Sequence, residues 1–148
     1  MFRELAASFI IVAICVMIHI TGIVLLAEWL LDRHEERKIQ GKMMNFLIVL
    51  IIVFAILIGI HLFETAIWAM FYWSWNLFED FETSLYFSMT SYTTIGYGDV
   101  VLPKKWRLLG VIEGISGVLL CGVSTAFIFV VLNGLFQIRL KKSSDKAN

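Results

Sequence analysis

The sequence predicts an all-α membrane protein with three transmembrane helices and a shorter re-entrant helix that enters the bilayer without crossing it. Hydrophobic residues make up 59 % of the 148 and charged ones 16 %, which is the balance of a membrane chain. The apolar residues gather into three runs, each reaching the ~20 residues a helix needs to span a bilayer. Between the second and third runs lies Thr93-Thr94-Ile95-Gly96-Tyr97-Gly98-Asp99, whose two glycines flank a tyrosine. Backbone at membrane depth must be satisfied internally, buried in protein, or set along a water-filled path. These glycines point to conformations that only Gly adopts cheaply, hence to the last of those settings.

The first span runs from about Leu5 to Leu31, with an apolar core from Phe9 to Gly22 and on to Ala27. Only Arg3 precedes it and no small-residue cleavage site follows, so it reads as a retained helix, not a secretory signal. His19, near its middle, is expected to be a neutral side chain hydrogen-bonded to a neighbouring helix; the competing reading is a proton or metal sensor. Asp32 to Lys42 is a connector of mixed charge, a solvated loop or helix extension and a poor lipid-specific basic patch.

The second span begins near Asn45 and stays apolar to about Trp68. Phe71-Tyr72-Trp73-Ser74-Trp75 follows, an aromatic cluster of the kind found at a membrane–water interface. Phe81 to Tyr92 is too short to span and reads as a half-membrane helix. Asp80, with Glu79 and Glu82, supplies negative charge at its N-terminal end. The chain then returns to the surface through Pro103, Lys104 and Lys105. A third span runs from Trp106 to about Phe136, roughly 45 Å long at 1.5 Å per residue. The tail from Arg139 to Asn148 is polar and basic and is expected to fray. This divides the chain into residues 1–44, 45–138 and 139–148.

Lysine and arginine set the orientation. Arg33, Arg37, Lys38 and Lys42 in the connector, with Arg139, Lys141, Lys142 and Lys146 in the tail, oppose Arg3, Lys104, Lys105 and Arg107. The excess places connector and tail in the cytoplasm and the N-terminus outside.

If the dihedrals alternate in hand along Thr94 to Tyr97, successive carbonyls point the same way. Such a column, with the Thr94 hydroxyl at its inner end, can replace the water shell of a dehydrated cation. Ser91-Tyr92-Thr93-Thr94-Ile95-Gly96-Tyr97-Gly98-Asp99 resembles the signature of the potassium-channel pore family, with Ile95 where that family uses Val or Ile. The resemblance covers roughly Asn45 to Phe136 and leaves the first forty-odd residues outside.

That likeness implies a potassium-selective channel in the plasma (inner) membrane, with K+ held by Thr94, Ile95, Gly96 and Tyr97 and the filter completed by Gly98. It casts Phe81 to Tyr92 as a pore helix in which Tyr86, Phe87 and Tyr92 wedge and brace Tyr97. Thr93 and Thr90 would support the filter, and Asp99 would hold its outer mouth. Many family members carry a tryptophan pair at Tyr86 and Phe87, and some a glutamate at Thr90. Filter inactivation that depends on those groups is therefore not carried over. Gly117 stands nineteen residues after Gly98, close to the family's gating hinge, though it serves equally as a packing residue. One loop cannot surround an ion and the sequence has no internal repeat, so four chains must form a fourfold homotetramer in the lipid bilayer. No cofactor is implied beyond K+ as the permeant ion. Gating is left to the filter, the helix crossing, lipid tension or a separate regulatory subunit.

Ionisable side chains within spans carry a penalty of about 2.5–3.5 kcal/mol at the bilayer centre and call for a partner or a function. His61 and Glu64 share a face of the second span. His61 lies seven residues from Trp68 and Glu113 seven from Trp106, so both fall roughly 10 Å deep on antiparallel helices. A cluster of His61, Glu64 and Glu113 supporting the pore helix is expected, against the alternative that each snorkels or caps locally. Two ligands alone, His61 and Glu64, are too few for a metal site. Cys15 and Cys121 are expected to be buried small hydrophobes. Gly110 and Gly114 form a GxxxG packing pair. Ser124, Thr125, Phe127, Val131 and Phe136 are candidates to line an inner cavity.

Other classes are disfavoured. Zero net charge gives no support to nucleic-acid binding. Gly96 and Gly98 resemble the start of a dinucleotide loop, but position 101 is Val and no βαβ pattern surrounds it. No helix carries serial arginines for voltage sensing. A cation transporter component would carry several degenerate loops in a longer chain, and a non-conducting modulatory subunit would have lost Gly96 or Gly98. No assembled nucleophile, base or cofactor loop suggests an enzyme.

Overall fold

The computed structural model of the chain describes residues 2–35 and 43–144, so most of the expected charged connector and the last four tail residues lie outside the described residues. Helix α1 spans Phe2–Glu35, α2 Met43–Ser74, α3 Phe81–Tyr92 and α4 Arg107–Ser144, with a single 3-10 turn at Lys104–Trp106 before α4. Three of these helices are long and apolar enough to cross a membrane, over Leu5–Asp32, Phe46–Ser74 and Lys104–Gln137. α3 is wedged between α2 and α4, and α1 packs against both α2 and α4.

Two boundaries differ from expectation. α2 continues through the aromatic cluster to Ser74, because aromatic residues at an interface keep their backbone bonds within the helix. Two residues past its end Asn76 adopts φ +52°, a left-handed conformation that Asn tolerates and that turns the chain out of the helix. The tail expected to fray from Arg139 is helical to Ser144, since nothing in that sequence stops α4 at Phe136.

Side chains pack in two apolar layers. One holds Ile11, Cys15, Trp68, Tyr72, Phe87, Leu109 and Leu120; the other holds Leu26, Val49, Val53, Leu57 and Leu135. The Tyr72 and Phe87 rings meet edge to face at 5.3 Å between centroids, which fixes α3 against α2. Trp75 and Trp106 meet at 5.2 Å, which sets the level of α4 against that of α2. Between the two layers, α1, α2 and α4 contribute His19, His61 with Glu64, and Ser124. A polar stratum thus crosses the apolar bundle.

Candidate functional site

The site begins with a well-capped α3. Asp80 adopts an extended conformation and its carboxylate accepts from the Thr83 backbone N–H at 2.7 Å and from Thr83 Oγ at 3.0 Å. Those bonds hold the Asp80 carboxyl below its ordinary pKa, the Thr83 backbone bond foremost. At the other end, Thr93 Oγ donates to the Met89 carbonyl at 2.6 Å, Thr94 N–H to Ser91 at 3.0 Å and Gly96 N–H to Thr90 at 3.0 Å. The chain leaves the helix as a tightly tethered hairpin.

Beyond that tether φ is positive at Thr94 (+59°), Gly96 (+52°) and Gly98 (+79°), and not at Ile95 or Tyr97. Every second residue is therefore of opposite hand. The stretch from Thr94 to Asp99 is exposed on the single chain, Ile95 at 55 % and Tyr97 at 70 %. Asp99 accepts from Tyr86 Oη at 2.7 Å and from the Val100 N–H at 3.0 Å, so the mouth of the stretch is tied to α3. The Tyr86 bond is the leading cause that holds the Asp99 carboxyl below its ordinary pKa. Beside the stretch runs a groove of about 740 Å³ lined by Thr94, Gly96, Gly110, Gly114, Ile115 and Val118.

Behind α3 the expected cluster of His61, Glu64 and Glu113 is divided in two. Glu113, fully buried, accepts from Ser88 Oγ and from Tyr72 Oη, the latter at 2.7 Å. Ser88 Oγ also lies 2.8 Å from the Thr65 carbonyl. His61 instead has Nδ1 3.3 Å from Glu64 Oε2, while Tyr92 Oη donates to that same oxygen. The depth count fails for a specific reason. Trp106 is level with Trp75 and not with Trp68, so His61 lies seven residues deeper than Glu113, about 10 Å along the axis.

The deeper cluster gathers groups from all four helices. His19 Nδ1 lies 3.0 Å from Glu64 Oε1, and the His19 and His61 Nε2 atoms each lie 3.1 Å from Ser124 Oγ. His61 Nδ1 is 2.9 Å from Tyr92 Oη. His19 thus finds neighbouring helices, as expected of it. Ser124 faces α1 and α2 and does not line an inner cavity, a correction that follows from the face α4 turns to them. Phe127 and Val131 pack into the lower apolar layer, whereas Thr125 and Phe136 are exposed. The two-ligand objection to a metal also falls, because His19, His61 and Glu64 bring ligand atoms within 4.8 Å of one another.

Of the expected braces, Tyr86 reaches the stretch from Thr94 to Asp99 through Asp99 itself. Tyr92 turns inward to Glu64, and Phe87 is buried among Tyr72 and Phe78. Thr90 Oγ donates to the Phe87 carbonyl at 3.0 Å, a bond local to α3. Cys15 is buried as expected, but Cys121 is exposed on the chain. Gly117 is buried, and a Cβ there would overlap the Tyr92 carbonyl oxygen, so packing alone requires glycine. Sequence reasoning missed Tyr72, Ser88 and Tyr92 as polar partners. Their hydroxyls lie in aromatic and small-residue runs that read as packing.

Residues 46–133 match the family model described as ion channel. Over 65 residues the chain is 37 % identical to the calcium-gated potassium channel TvoK of Thermoplasma volcanium, covering 43 % of this chain and 18 % of that one. The chain thus spans under a fifth of the length of that relative. No solved structure matches the present chain.

Proposed function

Because this chain belongs to the ion channel family, we propose that it passes K+ down its gradient through a pore built by four copies, the carbonyls of Thr94, Ile95, Gly96 and Tyr97 replacing the ion's hydration shell. The observation that carries this reading is the alternation of hand at Thr94, Gly96 and Gly98, directly after a half-membrane helix. That alternation turns successive carbonyls to one side, and α3 aims its partly negative C-terminal end toward the same place.

Potassium as the ion is supported by the 65-residue likeness to a protein named as a potassium channel. Four copies are supported by the exposure of the filter stretch. One chain encloses nothing there, and the apolar side chains beside it, including Val111, Ile115 and Val118, are left uncovered. Neighbouring copies seated on that face would bury it and close the ring. Thr93 and Asp99, with Tyr86, hold the stretch in shape, and Glu113, His61 and Glu64 hold α3 from behind. Gly117 serves as the bend point of the inner helix, where any bend must carry the Tyr92 carbonyl with it. The chain sits in the plasma membrane with its N-terminus outside and its C-terminus in the cytoplasm.

The test is 86Rb+ or K+ uptake into liposomes holding the purified chain, with Na+ as the competing ion. Uptake selective for K+ and Rb+ is expected. Equal passage of Na+, or none of any ion, overturns the reading.

A further inference from the structure

We propose that His19, His61 and Glu64 form a binding site for a divalent transition-metal ion of the Zn2+ type, at the junction of α1, α2 and the end of α3. The first argument is convergence. The two histidines come from different helices, 42 residues apart in sequence, yet each aims Nδ1 at a separate oxygen of one carboxylate. A tetrahedral ion with bonds of about 2.0–2.1 Å sets its ligand atoms about 3.3 Å apart. His19 Nδ1 lies 3.0 Å from Glu64 Oε1 and His61 Nδ1 3.3 Å from Glu64 Oε2, so each nitrogen stands at about that spacing from one oxygen of the shared carboxylate. The three ligand atoms all lie within 4.8 Å of one another, so closing around an ion needs only small side-chain adjustments.

The second argument is the outer layer of contacts. A metal-bound imidazole is normally held by a hydrogen bond from its other ring nitrogen, which fixes tautomer and ring plane. Here both Nε2 atoms sit 3.1 Å from the same hydroxyl, Ser124 Oγ on α4. A serine hydroxyl has two lone pairs and can accept from both Nε2–H groups at once. In that arrangement both Nδ1 lone pairs face Glu64, with a cation required between them. Tyr92 Oη, 2.9 Å from His61 Nδ1 and bonded to Glu64, stands ready as a fourth oxygen ligand or as the group that orients the carboxylate.

Ligand chemistry selects the ion. Two imidazoles and a carboxylate suit zinc and its neighbours, whereas Mg2+ and Ca2+ prefer all-oxygen sites. The His61 side chain is 20 % exposed on the single chain, while those of His19 and Glu64 are fully buried. With the single proton of each neutral imidazole on Nε2, toward Ser124, the ion takes the Nδ1 lone pairs in place of the bridges to Glu64 and Tyr92. It also takes hold of the carboxylate to which Tyr92, the last residue of α3, is tied.

The test uses the purified full chain in detergent, dialysed against Zn2+ with Mg2+ and Ca2+ in excess, with bound metal counted by mass spectrometry. One Zn2+ per chain is expected, and His19→Gln, His61→Gln and Glu64→Gln each abolish it. Ser124→Ala keeps the stoichiometry but weakens affinity by about 10–100-fold. Co2+ in place of Zn2+ should give the visible absorption of a four-coordinate ion. His61→Cys should restore binding that His61→Gln removes, since a thiolate is also a zinc ligand. A histidine that serves only a hydrogen-bonded network would not be rescued in that way. Substoichiometric metal in the unsubstituted chain, binding that survives all three Gln variants, or failure of the Cys rescue would each overturn the site. No ion flux enters the measurement, so its outcome is separate from that of the conduction reading.

Discussion

Ser88 on α3 donates its hydroxyl to the carboxylate of Glu113 on α4, and neither side chain is exposed. Tyr72 of α2 donates to the other oxygen of the same carboxylate at 2.7 Å. One carboxylate therefore ties the short helix and both of its long neighbours at a single point.

Replacing Glu113 by Ala leaves the Tyr72 hydroxyl without that partner inside the bundle, while Ser88 keeps the Thr65 carbonyl. Hydrogen bonds between membrane helices average about 0.6 kcal/mol and reach about 1.7. The variant should unfold about 1–3 kcal/mol more easily in a mixed-micelle denaturation followed by circular dichroism. Glu113→Gln keeps an acceptor and should lose under about 1 kcal/mol. An alanine variant as stable as the parent would show that the tie contributes nothing.

Gly117 and Gly59 make a matched pair. A methyl group at Gly117 meets the Tyr92 carbonyl, whereas one at Gly59 meets no atom within 4 Å. Alanine favours a helix over glycine by about 0.5–1 kcal/mol, but forced overpacking costs about 1–3. Gly59→Ala should therefore raise the thermal midpoint slightly and Gly117→Ala should lower it. Equal shifts for the two would deny the close approach of α4 to the end of α3.

Acid should release the stretch from Thr94 to Asp99 from its tie to α3. The Asp99 carboxyl is held below its ordinary value of 3.8, chiefly by the Tyr86 hydroxyl. A depressed folded-state pKa means the stabilisation is complete above the ordinary value and is lost as pH falls through the folded one. Tyr86→Phe removes the leading cause, so the midpoint of acid release should move upward, toward 3.8. A fluorescent label near Val101, read against pH in both proteins, checks the sign. A downward or absent shift would contradict the assignment of cause.

Much of this was legible in the residues themselves. Three apolar runs and a capped short helix at Asp80 can be read from spacing alone, and so can the glycines that release the chain into left-handed conformations. The pairing of Glu113 was not legible, since depth depends on which aromatic marks the interface. Trp75, and not Trp68, stands level with Trp106. The partners of His19 were hidden for a related reason. Hydropathy gives its depth in α1 but not the angle at which that helix meets α2 and α4. Alternation of hand from Thr94 onward is legible too, although it puts Thr94 itself at φ +59°, a value β-branched residues rarely adopt.

Alternating hand makes the sharpest demand on Gly98. Its φ of +79° lies where an added Cβ is strained, even though no neighbouring atom within 4 Å would obstruct it. The conflict for Gly98→Ala is thus with the backbone itself, on the order of 1–2 kcal/mol at each such residue. That is small against the stability of the bundle but large for the direction of a carbonyl. Gly98→Ala should therefore purify with unchanged helix content and a thermal midpoint lowered no further than that of Gly117→Ala, while its K+ uptake in liposomes falls to the level of protein-free vesicles. Gly96→Ala, at φ +52°, should behave the same way. Gly59→Ala, on α2 and remote from the stretch in sequence, should conduct like the parent. Selective K+ uptake surviving either filter substitution would mean that ions do not pass along these carbonyls.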